Sequence, residues 1–295
     1  MGRVTRRTPA RLLAVRGDGD APHDRVLLVD GRADTLAVEE PLEIRVDGRA
    51  VMVTMRTPGD DFDLALGWLW AEGQISRVAD VRTLMHCLDT DERGAPTYNV
   101  VEVTAAPGVR IDLTPRATTT TSACGVCGAE DIASIHRLSR FDLDDDDVRL
   151  DPALVLDLPR RLRAGQRTFE RTGGTHAAGL FTADGELLCL REDVGRHNAV
   201  DKVIGWAARA ERLPLRGCVL VVSGRAGFEL VQKAVMAGIP AMASVSASTS
   251  LAVDLARSSG LSLMAFVRDP RLTVYSDPGR LLGLTDAPGR PDQGR

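Results

Sequence analysis

Residues 217–276 read GCVLVVSGRAGFELVQKAVMAGIPAMASVSASTSLAVDLARSSGLSLMAFVRDPRLTVYS and decide the fold class of this chain. Three apolar runs in this stretch each end in a polar turn, and segments of helical length separate them. Continuous apolar strands that alternate with helices are typical of βαβ units around a parallel sheet covered on both faces. We therefore predict an α/β protein whose C-terminal domain, residues 149–285, is built on a parallel sheet.

The first half of the chain predicts a smaller mixed α/β region over residues 23–117. Residues 42–57, LEIRVDGRAVMVTMRT, alternate apolar and polar side chains around an Asp-Gly turn, which predicts a β-hairpin. Residues 58–61, PGDD, supply a break and an N-cap, so a helix is expected from there to near Gly73. Residues 98–105 indicate one more strand.

The composition excludes several classes of protein. A net charge of −4 and a pI near 5.8 disfavour non-specific binding to nucleic acid or to an anionic membrane. No apolar run approaches the roughly 20 residues of a membrane-spanning helix, and the N-terminus lacks the apolar segment of a signal peptide. Five cysteines are too few and too scattered for a disulfide scaffold. We expect a cytoplasmic protein that binds neither nucleic acid nor membrane, with a flexible N-terminus over residues 1–22 and a disordered tail over 286–295.

The sharpest local motif is Cys124-Gly125-Val126-Cys127. It lies within residues 118–148, which we expect to form a mobile loop followed by an acidic connection. A CxxC pair is compatible with half of a zinc site, a redox disulfide or a thiol that carries sulfur. His136 and His176 leave a zinc site open, whereas the other cysteines form no second pair and fit core packing; they are Cys87, Cys189 and Cys218. The Thr-, Ser- and Gly-rich setting differs from the helix start of a thioredoxin motif and favours a mobile carrier thiol.

The polar turns that follow the three apolar runs form a second candidate site. The candidate residues are Ser223, Gly224 and Arg225, then Ser246, Ser248 and Thr249, then Arg268, Asp269, Pro270 and Arg271. Because the carboxyl ends of parallel strands share one edge, we expect these turns to lie together. Glycine permits close backbone approach, hydroxyls and helix N-termini donate hydrogen bonds, and arginine binds phosphate. Each turn alone also fits helix capping, but together they predict a site for an anionic, nucleotide-bearing ligand.

Two further polar clusters adjoin apolar runs, TGGTH at 172–176 and REDVGRHN at 191–198. So many charged side chains in one turn indicate the wall of a site. His197 also fits the cap of a helix that runs to Trp206, so both a binding role and a structural role stay open from the residues alone.

Motifs in a fixed order resemble the FdhD family of formate dehydrogenase accessory sulfurtransferases. They are SACGVCG at 122–128, TGGTHAAGLF at 172–181, REDVGRHNAVDK at 191–202, SGRAGFELVQKA at 223–234, and the SVSASTS and FVRDPR turns at 244–250 and 266–271. A short CxxC match is common, but this many motifs in order are specific. The resemblance covers the chain from about residue 40 to residue 283.

The resemblance implies that a cysteine desulfurase loads sulfur onto Cys124 as a persulfide, with Cys127 as a second thiol. The protein would pass this sulfur to a bound substrate, the bis(molybdopterin guanine dinucleotide) molybdenum cofactor. The cofactor would then enter the catalytic subunit of a formate dehydrogenase. GDP, which carries the same base and phosphates, is expected to bind as a mimic.

The resemblance also implies a binding turn, a fold and an assembly. The turn implicated in cofactor binding consists of Phe266, Val267, Arg268, Asp269, Pro270 and Arg271. The C-terminal domain of the family is similar to the cytidine deaminase fold, a three-layer αβα sheet, and a homodimer is expected. Zinc deaminases need a His-x-Glu and a Pro before the CxxC, and this chain has neither, so no metal is predicted. The remaining alternatives are a chaperone that binds the cofactor without transferring sulfur and, less well supported, a zinc-dependent deaminase-like hydrolase.

Overall fold

The computed structural model describes residues 4–16, 26–87, 90, 96–109, 111 and 139–283. The strands of these residues are β1 Thr5–Arg16, β2 Val26–Ala37, β3 Glu40–Val46, β4 Arg49–Arg56, β5 Val81–His86, β6 Val100–Ala105, β7 His176–Thr182, β8 Leu187–Asp193, β9 Cys218–Val222, β10 Ala241–Ser244, β11 Ser262–Arg268 and β12 Arg271–Ser276. The α-helices are α1 Asp61–Ala71, α2 Pro152–Gly165, α3 Arg167–Thr172, α4 Arg196–Arg209, α5 Phe228–Met236 and α6 Ser250–Ser258. No helix of the described residues is long and apolar enough to cross a membrane.

A six-stranded sheet forms the centre of the fold, in the order β12-β11-β10-β9-β7-β8. Strands β9, β10 and β11 are parallel, as the alternation of apolar runs and helices predicts. Strands β7, β8 and β12 pair antiparallel with their neighbours, so the sheet is mixed, and the prediction of a parallel sheet is wrong for these strands. The physical reason is that β7 and β8 form a hairpin and β11 leads into β12 through a tight turn, connections too short for a parallel crossover.

Both faces of this sheet are buried, which explains the continuous apolar runs of β9 and β10. Val219 and Val221 pack with helix α2 on one face. Leu220 and Val222 pack with α4, α5 and α6 on the other. The α/β class is therefore confirmed, with helices on both sides of the central sheet.

A second sheet, in the order β4-β3-β6-β5, forms the N-terminal region. Its hairpin β3-β4 turns at Asp47 and Gly48, both with positive φ, and α1 follows, as predicted. Helix α1 packs closely on α4, because a Cβ on Gly67 would lie 1.8 Å from the Asp201 carbonyl oxygen and a Cβ on Gly205 would lie 1.8 Å from that of Asp63. Buried residues of both regions consequently belong to one continuous core.

Two predictions about connecting segments are wrong in part. Residues 5–16 do not form a flexible terminus: they pair as β1 with β2. The apolar runs at 12–15 and 26–29 are only four residues long each, which is too short to predict this pairing. The acidic connection is not fully solvated, because Asp146 is buried and accepts from the backbone N–H groups of Val148, at 3.0 Å, and Gly217, at 2.9 Å. The predicted CxxC loop, with Cys124 and Cys127, and the predicted tail over 286–295 lie outside the described residues.

Candidate functional site

The chain concentrates its polar turns at one edge of the central sheet. Strands β9, β10 and β11 end there, β7 begins there at His176, and β8 ends there at Asp193. Helices α4, α5 and α6 begin at the same edge, so their free backbone N–H groups lie there too. This is the position at which α/β sheets bind ligands.

Serine hydroxyls fix the backbone of these turns to one another. The Ser223 hydroxyl accepts from the Ala177 N–H at 2.9 Å, the Ser244 hydroxyl donates to the Gly224 carbonyl at 2.7 Å, and the Ser248 hydroxyl donates to the Ala226 carbonyl at 3.1 Å. The hydrogen bonds of Ser244 and Ser248 use the hydroxyl proton, whereas the bond of Ser223 leaves its proton available to a ligand. The edge is therefore preorganised, and Ser223 retains a donor.

A cavity of about 990 Å³ lies between this edge and helix α2. Its lining comprises Ala153, Leu156, Asp157, Pro159, Arg160, Leu162, Arg163, Gln166, Phe169, Gly173, Gly174, Thr175, His176, Val194, Ser223, Val245, Val267, Arg268 and Asp269. Apolar side chains and a few arginines dominate that set. A concave apolar site with a few polar groups is the usual form of a small-molecule site, and its size suits a ligand with several rings.

On the helical wall, the arginines of α2 differ in their bonding. Arg160 binds Asp157 through two hydrogen bonds of 2.6 and 3.0 Å, and Arg161 binds the same carboxylate at 2.8 Å. Hydrogen bonds from Arg160 and Arg161 lower the pKa of Asp157 to about 2, so this carboxylate stays ionised and paired. The guanidinium carbon of Arg163 instead lies 4.4 Å from the centre of the Phe169 ring.

On the strand wall, Ser223, Val267, Arg268 and Asp269 line the cavity, four of the residues that the sequence predicts as binding residues. The other predicted residues lie at the same edge but outside the lining; they are Gly224, Arg225, Ser246, Ser248, Thr249, Phe266, Pro270 and Arg271. Gly224 still matters, because a Cβ there would lie 3.3 Å from His176 Nδ1.

Phe266 does not belong to the core. Its side chain is 37% exposed, and its backbone has a φ of 51°, which is unfavourable for a bulky residue. Its N–H donates to the Ser246 carbonyl at 3.1 Å and so joins two of the polar turns. Strained backbone of this kind concentrates at functional sites.

Sequence reasoning did not include the α2 and α3 residues of the cavity, namely Arg160, Arg163, Gln166 and Phe169. An arginine-rich helical turn at 160–163 is a weak signal, since exposed arginines are common on helices. The polar cluster at 172–176 did point here, because Gly173 to His176 form part of the lining. Burial, together with the neighbouring Arg196 and His197, lowers the pKa of His176 below its ordinary value.

The charged cluster at 191–198 is mainly structural. Asp193 is fully buried and accepts from Lys202 Nζ at 2.7 Å, from Asn198 Nδ2 at 3.0 Å and from the Thr57 N–H at 3.1 Å. It therefore joins α4 to the N-terminal sheet, and of this cluster only Val194 lines the cavity. The Glu192 carboxylate accepts from the backbone N–H groups of Thr168 and Phe169, at 2.8 and 2.7 Å, and from the Thr175 hydroxyl at 3.0 Å.

Two of the three described cysteines, Cys189 and Cys218, are poor nucleophiles. Burial raises the pKa of Cys189 to about 12 and that of Cys218 to about 11, so both remain thiols at physiological pH. Both lie in strands of the central sheet, which agrees with their predicted packing role. Cys87, the third described cysteine, is only partly buried, so its predicted place in the core is wrong. The CxxC pair lies outside the described residues.

Comparison with known proteins gives a consistent result. Residues 37–282 match the FdhD/NarQ family. The chain is 52% identical over 284 residues to the sulfur carrier protein FdhD of Streptomyces coelicolor, across 95% of this chain and 97% of that protein. It is 52% identical over 256 residues to the sulfur carrier protein FdhD of Mycobacterium tuberculosis, across 85% and 92% of the two chains. The crystal structure of a protein from Desulfotalea psychrophila, assigned as a formate dehydrogenase accessory protein, superposes with a TM-score of 0.69 at 24% identity, covering 94% of this chain and 99% of that one, which shows a shared fold.

Proposed function

Because the chain belongs to the FdhD/NarQ family, we propose that it is a sulfur carrier for a formate dehydrogenase and that Cys124 carries the sulfur. The names of its relatives support the carrier role, and the raised pKa values of the buried Cys189 and Cys218 make both of them poor sources of a reactive thiol. The protein acts in the cytoplasm as a homodimer, and its central sheet is related to the cytidine deaminase fold.

Sulfur loading is a thiol exchange reaction. The Cys124 thiolate attacks the outer sulfur of a persulfide on a cysteine desulfurase, the sulfur–sulfur bond of the donor breaks, and the donor cysteine leaves as a thiolate. Cys124 then bears the persulfide, and Cys127 assists its release or protects it. The loaded sulfur passes to the bis(molybdopterin guanine dinucleotide) molybdenum cofactor, which is the bound substrate.

The cavity at the sheet edge is the observation that carries the binding half of this proposal. Its apolar wall suits heterocyclic rings, and Arg268 offers a two-pronged donor to a pyrophosphate. The Asp269 carboxylate suits the two N–H donors on the edge of a guanine, and the Ser223 hydroxyl adds one more donor. These protein groups complement the rings, the N–H donors and the phosphates that a guanine dinucleotide arm presents.

Binding is tested by titrating the purified protein with GDP and with ADP. We expect GDP to bind more tightly than ADP. Arg268→Ala should weaken GDP binding about ten- to a hundredfold, the effect of one charge-assisted contact. Arg271→Ala should have a smaller effect, because Arg271 lies outside the cavity lining. Absence of GDP binding, or equal affinity for ADP, would contradict the guanine site.

Sulfur transfer is tested by mass spectrometry after incubation with a desulfurase and cysteine. Cys124→Ala should remove the persulfide and the activation of the client dehydrogenase, yet leave GDP binding and the thermal midpoint unchanged. Cys127→Ala should be milder. Full client activity in Cys124→Ala would overturn the carrier mechanism and favour a cofactor-binding chaperone.

A further inference from the structure

Two arginines on opposite walls of the cavity lack an acidic partner. Arg163 comes from helix α2 and Arg268 from the end of β11, and neither forms an ion pair with any described residue. Arg160, one turn away from Arg163, is bound to Asp157 through two hydrogen bonds. The helical wall thus contains one neutralised arginine and one whose donors remain available.

Arg163 is an exposed residue whose guanidinium is oriented by one contact. The group lies over the Phe169 ring, a contact that engages the face of the cation and leaves its in-plane N–H donors available to a ligand. Phe169 itself is held by Glu192, whose carboxylate accepts from the backbone N–H groups of Thr168 and Phe169 at the start of α3. A cation that is ordered before binding loses little conformational entropy when an anion arrives.

Gln166 adds a second polar group to the same wall. Its side chain is buried, lines the cavity and forms no hydrogen bond with the described residues. Its amide atoms are not among the buried polar atoms that lack a partner, so they are accessible from the cavity, where water or a ligand can bond to them. Arg163 and Gln166 therefore make the helical wall a binding surface as well as a packing surface.

We propose that Arg163 is a second anion-binding residue that acts across the cavity from Arg268, so that the two arginines bind the phosphates of one nucleotide arm from opposite sides. This inference rests on the proposed function, because it takes the cavity as the nucleotide site. Phe169 is a positioning residue that orients the Arg163 guanidinium. The competing structural role for Arg163 is stabilisation of the negative C-terminal end of α2.

The test is titration of the full-length protein with GDP, followed by displacement of GDP with inorganic pyrophosphate. Arg163→Ala should weaken both ligands about ten- to fiftyfold, and Arg163→Lys should recover only part of that loss, because an ammonium lacks the planar fork. Arg167→Ala is the matched control. It removes the same charge from an exposed position close to Phe169 but outside the cavity lining, and it should change affinity less than about threefold.

The possible outcomes distinguish failure of the proposed role of Arg163 from failure of the proposed nucleotide site. If Arg163→Ala binds GDP as tightly as Arg167→Ala while Arg268→Ala is impaired, the role of Arg163 is overturned and the nucleotide site stands. A lowered thermal midpoint with unchanged affinity would assign Arg163 to the helix terminus and would also overturn the inference. If the unmodified protein does not bind GDP, the proposed function fails first.

Discussion

Two charged regions of this protein look alike in sequence and differ in bonding. Around Asp193, the carboxylate is satisfied by Lys202, Asn198 and backbone N–H groups, and the cluster is closed to solvent. At the cavity, Arg163 and Arg268 have no acidic partner among the described residues. The difference teaches that a cluster of charges indicates a site only where its hydrogen-bonding groups remain unsatisfied by the protein itself.

The largest effect should come from breaking the closed cluster. Lys202→Met leaves the buried Asp193 carboxylate without its cation, and removing one partner of a buried ion pair typically costs about 3 to 5 kcal/mol. Urea unfolding measures the free energy of unfolding of the variant. GDP affinity measured well below the unfolding transition should change less than about threefold, because Lys202 does not line the cavity.

Arg209→Met is the control for that substitution. Arg209 is 53% exposed and pairs with Asp63, which keeps Arg191 as a second partner at 2.9 Å. Its loss should cost about 1 kcal/mol or less. Equal destabilisation by the two variants would show that the Asp193 cluster is not a special stabilising feature.

An intermediate effect should come from Glu192, which connects the two regions. Glu192→Ala removes the acceptor for three donors and should destabilise the protein by about 1 to 3 kcal/mol. Because the same bonds hold Phe169 under Arg163, GDP affinity should also fall about three- to tenfold. The two readouts are urea unfolding and GDP titration.

Glu192→Gln separates positioning from simple destabilisation. Its amide oxygen can still accept from the Phe169 N–H and the Thr175 hydroxyl, which share one carboxylate oxygen, so most of the GDP affinity should return. If Gln restores stability without restoring affinity, the connection between Glu192 and the cavity is wrong.

The features of this fold that a local residue pattern determines can be predicted from the sequence, whereas those that depend on partners distant in the sequence cannot. Strands β9, β10 and β11 are marked by continuous apolar runs, and helix α1 by an apolar segment after a Pro-Gly break, and the structure confirms all four elements. The pairing of β1 with β2 is harder to predict, because the apolar runs at 12–15 and 26–29 are only four residues long each. The helical wall of the cavity could not be predicted from the sequence, for another reason. Helix α2 reaches the sheet edge only through tertiary packing, and nothing local marks Arg163 as different from Arg160.

The two lysines of the chain illustrate the same limit. Only 2 of the 37 basic residues are lysines, a bias that suggests an effect of genome composition. Both lysines are nevertheless buried and ion-paired, Lys202 with Asp193 and Lys233 with Asp201, each at 2.7 Å. Burial alone does not explain the choice of lysine, because Arg56 and Arg280 are also buried. Only the structure shows that these two lysines are buried and ion-paired, because no spacing in the sequence distinguishes their positions.

The smallest effect should be a gain, and it tests the contrast between bound and available arginines. Asp157→Asn removes the carboxylate that binds Arg160 and so adds a second available guanidinium to the helical wall. GDP affinity should rise about two- to fivefold, the scale of one exposed charge interaction.

The pKa of Asp157 lies at about 2, below its ordinary value of 3.8, because Arg160 and Arg161 donate hydrogen bonds to the ionised form. A carboxyl whose pKa is lowered by folding stabilises the fold at pH values above its pKa in the unfolded chain. That contribution is lost as the pH falls through about 2. The carboxylate is therefore ionised throughout the range from pH 6 to 8, and the ratio of the two dissociation constants should be constant across it. Titration of both proteins with GDP at several pH values in that range measures this ratio. Weaker binding by Asp157→Asn would mean that the Asp157 pair itself shapes the site, and the contrast between the two arginines would fail.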